Sequence, residues 1–253
     1  MRLILAALLL LLATAPAEAG LTRAQLNTVS ASPPPGAHLD PALTARDATG
    51  KLRSIRSLLA GRTGFVTFVD YTCNTLCGTD LALLSIGIQN AHLAPSQYRI
   101  VVMGIDPRDS AKAALAMERK EIPAALQPNT TLLLPDSKVV RRATAALGFH
   151  YVYDAAIDQF AHPAVIYAIA PDGELRAVLS PLTLTPDALR AAMSAQPTSG
   201  LFARIVHLCY AYDPATGIYT PRIDALLKIG ATTTVLLLAG AVLFLIRLGR
   251  RAA

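Results

Sequence analysis

The sequence lacks the signatures of several common functional classes. Between its two apolar ends it has no cluster of Lys and Arg interleaved with aromatic residues, which argues against a nucleic-acid-binding face. It also has no carboxylate pair, nucleophile elbow or phosphate-binding loop that suggests another active site. Cysteine is scarce, at three residues in 253. These absences make the cysteines the main candidates for chemistry.

The first apolar end has the pattern of a secretory signal peptide. Arg2 precedes an apolar run, Leu3 to Leu12, and Ala17-Glu18-Ala19 forms a small-x-small cleavage pattern before Gly20. A membrane anchor is the alternative, but the run is short compared with the roughly 20 residues that a spanning helix needs. We therefore expect residues 1–19 to be removed.

The second apolar end predicts a membrane anchor that stays in the protein. Ile229 to Ile246 is uncharged, and at roughly 1.5 Å per residue a helix of this length crosses most of a bilayer. Three arginines follow it directly, and such an excess marks the cytoplasmic side. The sequence predicts a transmembrane helix over 228–247, a cytoplasmic tail over 248–253 and a globular part on the extracytoplasmic, periplasmic side.

Most of the positive charge belongs to this anchor. The whole chain has a net charge of +6. The charges in residues 1–19 cancel, and leaving out the four basic residues of 228–253 reduces the total to +2. The high isoelectric point is thus mainly a topology signal.

The remainder divides into three predicted parts. Residues 20–38 are polar, contain Pro33-Pro34-Pro35-Gly36 and predict an extended lead-in, with ordered structure beginning near Leu39. Residues 39–196 predict one globular domain, and 197–227 a membrane-proximal segment.

Strand and helix patterns alternate through the globular part. Apolar runs bounded by turn residues predict strands, the first two of them in a hairpin at Leu43–Ile55, and helical spacing and caps predict helices. Together these elements predict a mixed α/β sheet flanked by helices. The other predicted strands are Phe65–Tyr71, Arg99–Ile105, Val165–Ala170 and Glu174–Leu179, and helices are predicted after the cysteine pair, after a cap at Asp109 or Ser110, at Ser137–Leu147 and from Pro186.

Cys73 and Cys77 follow the strand Phe65–Tyr71 at a spacing of four residues. A helix beginning near Cys73 would bring both thiols to one face, and its dipole would favour the thiolate. The pair can be a metal clamp, a redox couple or a structural disulfide. Cys209 is left alone, and together with His207 it could offer soft ligands, although a small residue packed against the domain, followed by an Asp-Pro turn, explains it better.

His162 is the candidate third ligand. It directly precedes the predicted strand Val165–Ala170, so in a sheet of this order its loop lies opposite the cysteine loop. Two sulfurs and one imidazole suit copper, because zinc usually takes a fourth protein ligand. The alternative is an ordinary histidine in a surface loop.

These residues together resemble the Sco (SenC) family of thioredoxin-like, membrane-tethered copper proteins that assist cytochrome c oxidase assembly. The resemblance covers about Leu39 to Gln196 and rests on Tyr71-Thr72-Cys73-x-x-x-Cys77, Asp106-Pro107-Arg108-Asp109-Ser110, Gly148-Phe149-His150-Tyr151 and His162. It implies a thioredoxin-like fold and copper, Cu(I) or Cu(II), bound by Cys73, Cys77 and His162. The implied partners are the copper-bearing oxidase subunit or its copper donors.

Two functions from different classes remain open. The first is a metallochaperone that holds copper and passes it to an oxidase subunit at the same membrane. The second is a thiol-disulfide oxidoreductase that reduces a partner's disulfide, with Cys73 as the attacking thiolate. The chain has Asn74 and Gly78 where the family usually has proline, and Pro163 after the histidine, which keeps the second alternative open. A redox or copper sensor that signals through the anchor is a third, weaker alternative, because the short cytoplasmic tail offers few residues for signalling.

Overall fold

A computed structural model describes residues 20–73, 78–194 and 228–238. The chain divides into two compact units, the first containing the described residues up to 194 and the second containing 228–238.

The first unit has eleven described strands and six described α-helices. The strands are β1 (Ser30–Ala31), β2 (Thr44–Asp47), β3 (Leu52–Ser54), β4 (Thr63–Val69), β5 (Tyr98–Gly104), β6 (Thr130–Leu134), β7 (Phe149–His150), β8 (Val152–Asp154), β9 (Gln159–Ala161), β10 (Ile166–Ile169) and β11 (Leu175–Leu179). The helices are α1 (Arg23–Leu26), α2 (Ile55–Leu59), α3 (Thr79–Asn90), α4 (Ala111–Glu121), α5 (Ser137–Ala146) and α6 (Pro186–Ser194).

Seven of the strands form one mixed sheet in the order β11-β10-β4-β5-β6-β2-β3. The central strands β4, β5 and β6 are parallel, while the two outer pairs run antiparallel. All seven residues of β4 are buried, as expected for a central strand covered on both faces. The predicted mixed α/β sheet flanked by helices is confirmed.

The apolar residues on one face of the sheet pack under three helices. Leu81, Leu84 and Ile88 of α3 are each at most 1% exposed and join Phe65 and other sheet residues in one core cluster. Residues from α4 and α6 complete this cluster. The helical spacing in the sequence therefore identified the buried face of α3.

The helix ends confirm several local predictions. The Ser110 side chain accepts the N–H of Ala113, so Ser110, not Asp109, caps α4. Gly148 follows α5 with a φ of +60°, where glycine is favoured. Thr185 caps α6, accepting the N–H of Ala188.

The expectation of an extended lead-in before Leu39 is wrong. Residues 23–26 form α1 behind a Thr22 capping box. Ser30 and Ala31 pair with His150 and Phe149 of β7. This pairing joins residues about 120 positions apart, so the local proline-rich composition gave no sign of it.

The second unit is described only over 228–238, which are helical and exposed. Among the described residues, no helix combines the length and the apolarity that crossing a bilayer requires. The predicted span 228–247 continues past residue 238, and the predicted signal peptide lies outside the described residues, as do His207 and Cys209. Both predictions about membrane topology remain predictions.

Candidate functional site

A tight turn at the end of β4 carries the first candidate ligand. Asp70 follows β4 and is fully buried. Its Oδ1 accepts the backbone N–H of Thr72 at 2.9 Å and the Thr72 hydroxyl at 2.8 Å. The N–H of Cys73 donates to the Asp70 carbonyl at 3.2 Å. Cys73 is therefore held at the carboxyl end of a central strand, where ligands bind in open α/β sheets.

Cys73 does not begin a helix, contrary to the sequence-based expectation. It lies in irregular backbone, and α3 starts at Thr79, after Gly78. The Cys73 sulfur is disulfide-bonded. Cys77 is the local partner that the sequence suggests, and it lies outside the described residues.

Tyr71 fixes the turn before Cys73 from two sides. Its hydroxyl donates to the Val102 carbonyl at 2.9 Å and lies 3.1 Å from the Leu133 carbonyl, beneath the sheet surface. Its backbone N–H donates to Oδ2 of Asp109 at 2.9 Å. Gly104 leaves room for the ring, because a Cβ there would lie 2.8 Å from the ring's Cε2. The turn that bears Cys73 is thus anchored to β5, β6 and the loop after β5.

His162 directly follows β9 and precedes β10. Its Nδ1 lies 3.1 Å from the carbonyl of Pro163. Its Nε2 is buried and has no hydrogen-bond partner among the described residues. Burial lowers the pKa of His162, although the Pro163 carbonyl and the Asp70 carboxylate act in the opposite direction. The ring therefore favours the neutral form, with Nδ1–H donating and the Nε2 lone pair available.

The register of the sheet brings the histidine loop and the cysteine loop to the same edge. β10 runs antiparallel to β4, with Tyr167 opposite Val66. The Thr67 hydroxyl donates to the Val165 carbonyl at 3.0 Å, so the segment before β10 stays beside β4 beyond the last paired residues of the two strands. Continuing this register places His162 beside the turn that begins at Asp70. This placement is consistent with the prediction that the loop before Val165–Ala170 lies opposite the cysteine loop.

Carboxyl groups at this edge are unusually buried. Burial raises the pKa of Asp109 to about 6, and the nearby Asp70 and Asp106 carboxylates add to the effect. Asp70 Oδ2 and Asp109 Oδ1 are buried without a hydrogen-bond partner among the described residues. Burial also raises the pKa of Asp80, in the first turn of α3, to about 7. The site is therefore poorly solvated, which strengthens electrostatic interactions within it.

No group of three His, Cys, Asp or Glu side chains that could hold a metal ion occurs within the described part of the chain. The candidate set of Cys73, Cys77 and His162 includes a residue outside that part, so it remains a prediction. What the described residues provide is one sulfur at a strand end and one buried imidazole nitrogen at the same edge of the sheet.

Sequence reasoning missed a polar cluster around Arg108. The guanidinium binds both carboxylate oxygens of Asp106, at 2.6 to 2.9 Å, and Oδ1 of Asp158 at 2.8 Å. It also lies over the Tyr153 ring, with Cζ 5.3 Å from the centroid. The sequence marks Asp106–Ser110 as a motif, but the strands of the β8–β9 hairpin that this loop contacts are too short for a local pattern to predict them.

Solved structures share this fold at low sequence identity. BsSco, described as a member of the Sco family of cytochrome c oxidase assembly proteins with a disulfide switch, is 22% identical at a TM-score of 0.52, covering 65% of this chain and 96% of that one. Arabidopsis thaliana ScoI with copper bound is 16% identical at 0.52, covering 63% and 98%. A SCO1/SenC family lipoprotein from Bacillus anthracis is 18% identical at 0.54, covering 63% and 95%.

A family model agrees with the structural comparisons. The search of curated proteins found no match. The model of the SCO1/SenC family matches residues 32–196, which is most of the described first unit. The predicted thioredoxin-like fold is confirmed, and the chain belongs to the SCO1/SenC family.

Proposed function

We propose that this protein is a copper metallochaperone that binds the ion through Cys73, Cys77 and His162 and delivers it to the copper-bearing subunit of cytochrome c oxidase. Family membership supports the general role. Structures of Arabidopsis thaliana ScoI and Bradyrhizobium japonicum ScoI contain copper, and BsSco is described among cytochrome c oxidase assembly proteins.

The observation that carries the proposal is the state of the His162 ring. A metal-binding imidazole needs one nitrogen deprotonated and oriented, and the other usually donates to a carbonyl or carboxylate. The Pro163 carbonyl lies 3.1 Å from Nδ1, and Nε2 is buried without a partner among the described residues. Leaving a buried nitrogen unsatisfied costs free energy, so a ligand that fills this position stabilises the site.

The cysteines supply the softer ligands once they are reduced. The Cys73 disulfide must accept two electrons and two protons from a thiol reductant before two sulfurs can bind metal. Thiolates select Cu(I), and imidazole also suits Cu(II), so a set of two sulfurs and one nitrogen accommodates both oxidation states. Loading with copper is therefore coupled to the redox state of the compartment.

The proposed setting is the extracytoplasmic side of a membrane. A signal peptide over 1–19 exports the chain, and a helix over 228–247 anchors it, as the arginines after the apolar run suggest. Anchoring the chaperone and an oxidase subunit in one membrane raises their effective concentration. A weak docking surface is then sufficient for copper transfer.

Copper stoichiometry of the reduced protein tests the proposal. We expect one tightly held ion per chain, lost in each of Cys73→Ala, Cys77→Ala and His162→Ala. His92→Ala is the matched control, because His92 is exposed and follows the end of α3 opposite the cysteines, and it should bind like the wild type. Full copper binding by His162→Ala would contradict the proposed ligand set.

A thiol-disulfide oxidoreductase is the second candidate, and the disulfide at Cys73 favours it. In this function Cys73 thiolate attacks a partner's disulfide, a mixed disulfide forms, and Cys77 displaces the partner's thiol while the chain is oxidised. His162→Ala separates the two functions. Loss of copper binding and of oxidase assembly with unchanged disulfide exchange supports the chaperone, whereas normal oxidase assembly supports the oxidoreductase.

A further inference from the structure

The loop after β5 contacts both parts of the candidate site. On one side, Asp109 Oδ2 accepts the N–H of Tyr71, two residues before Cys73. On the other side, Arg108 Nη2 donates to Asp158 Oδ1 at 2.8 Å. Asp158 ends the turn of the β8–β9 hairpin, and β9 leads directly to His162. Two neighbouring residues of one loop therefore hold the two arms that carry the candidate ligands.

The loop itself is rigid enough to fix their separation. Asp106 Oδ1 accepts the backbone N–H of Arg108 at 2.8 Å, and the N–H of Asp109 donates to the Asp106 carbonyl at 3.1 Å. Although burial alone would raise it, the hydrogen bonds from Arg108 lower the pKa of Asp106, so this carboxylate stays ionised and paired. The Arg108 fork is thus oriented by a buried anion.

The hairpin side of the contact is equally well defined. The Tyr153 hydroxyl donates to the same Asp158 oxygen at 2.6 Å, and the Tyr153 ring lies under the guanidinium. Tyr153 in turn packs on Phe160, with ring centroids 5.1 Å apart, two residues before His162. The contact with Arg108 therefore reaches the histidine through the short second strand of the hairpin.

We propose that Arg108 and Asp109 are positioning residues that set the distance between His162 and the turn that bears Cys73, a role that rests on the proposed function. Exposure supports this interpretation over a purely structural one. The Arg108 and Asp158 side chains are 59% and 68% exposed, and exposed ion pairs contribute little to stability. Breaking this pair at Asp158 loosens the hairpin and leaves the buried Asp106 carboxylate paired with Arg108.

Copper affinity of the reduced full-length protein in detergent tests the Arg108 arm. Arg108→Gln and Asp158→Asn should each weaken binding about tenfold at unchanged stoichiometry, as loss of a supporting contact does at metal sites. The double variant should be no weaker than either single variant, because the two residues act through one contact. Arg142→Gln is the matched control, since Arg142 forms a similarly exposed pair with Asp40 and should bind normally.

Hydrogen exchange of the copper-free protein provides a readout that does not depend on metal. Arg108→Gln should speed exchange over residues 159–165, and Asp109→Ala should speed exchange at the Tyr71 amide. Asp109→Asn keeps an acceptor oxygen and should restore slow exchange at Tyr71. In the Cu(II) form, nitrogen hyperfine structure in the electron paramagnetic resonance spectrum should change in Arg108→Gln and not in Arg142→Gln.

The two proposals fail in different ways. Wild-type affinity and wild-type exchange in Arg108→Gln and Asp158→Asn would overturn the positioning role while leaving copper binding in place. Absence of copper from the wild type would refute the proposed function. In that case, unchanged exchange over 159–165 would still refute the positioning of the hairpin, and faster exchange would support it.

Discussion

Asp80 provides a direct measure of how strongly the start of α3 excludes water. It is the second residue of α3, is 4% exposed, and makes no hydrogen bond or ion pair with other described residues. Burial raises its pKa from 3.8 to about 7. Because the folded protein holds the proton more tightly than the unfolded chain, stability decreases as the pH rises from about 4 to 7 and is constant above that range.

The Asp80→Asn substitution removes this ionisation and keeps the shape of the side chain. The pKa difference corresponds to about 4 kcal/mol in favour of the variant at pH 8. The attraction of a carboxylate to the N-terminus of α3 offsets about 0.5 kcal/mol, and water at the helix end reduces the difference further. We expect a gain of about 2 kcal/mol at pH 8, or about 6 °C in Tm, and almost none at pH 3, where Asp80 is protonated in both the folded and the unfolded protein.

Urea unfolding at the two pH values measures the effect, with Asp187→Asn as the control. Asp187 is also the second residue of its helix, α6, but its side chain is 95% exposed. The control variant should be no more stable than the wild type at either pH. An Asp80→Asn protein with the same stability difference at both pH values would refute the argument, because the effect would then not come from ionisation.

Three further predictions concern the turns and the histidine. Gly148→Ala should lower the free energy of unfolding by about 3 kcal/mol, because its φ is +60° and a Cβ would clash with the Ser32 carbonyl oxygen. Gly50→Ala, at a φ of +86° with open space around it, should cost only about 1 kcal/mol in the same thermal unfolding assay. Although burial opposes ionisation, hydrogen bonds from the β2–β3 hairpin lower the pKa of Asp47 to about 2. Lowering the pH from 4 to 2 should therefore reduce the free energy of unfolding by up to about 2 kcal/mol, and Asp47→Asn should remove this pH dependence. In NMR titration of the copper-free protein, the His162 ring should have a midpoint below 6.5, because burial disfavours its charged form. The stability that the neutral ring contributes should be lost as the pH falls from 6.5 through this midpoint. A midpoint above 6.5 would contradict the burial of the ring.

The sequence predicted those parts of the fold that depend on neighbouring residues. The hairpin β2–β3, the apolar face of α3, the Ser110 cap and the Pro186 helix start each follow from patterns within a few positions. Strand β6 was missed although Pro128-Asn129 and Pro135-Asp136 bound it, because the three consecutive leucines 132–134 show no period of two that separates a strand from a buried helix segment. The pairing of β1 with β7 was missed because two-residue strands have no periodicity.

The candidate site was predicted as far as topology allows. Placing His162 opposite the cysteine loop required only that the strand after it pair antiparallel with β4, and the sheet has this pairing. The orientation of the imidazole depends on the Pro163 carbonyl and on burial, which no pattern of residue types reports. Likewise, the contact between Arg108 and Asp158 spans 50 positions and depends on a hairpin whose strands have three residues each.

The path of the N-terminal stretch determines where a fragment for recombinant expression can begin. Ser30 and Ala31 pair with β7, Ala37 accepts from the N–H of Leu175, and the Leu39 N–H donates to Gly173 at 2.8 Å. A fragment starting at residue 39 would strip backbone partners from two separate places and uncover the sheet beside Phe149, whose ring lies 6.0 Å from that of His162. Fragments starting at Gly20 should remain monodisperse, whereas those starting at 39 should aggregate.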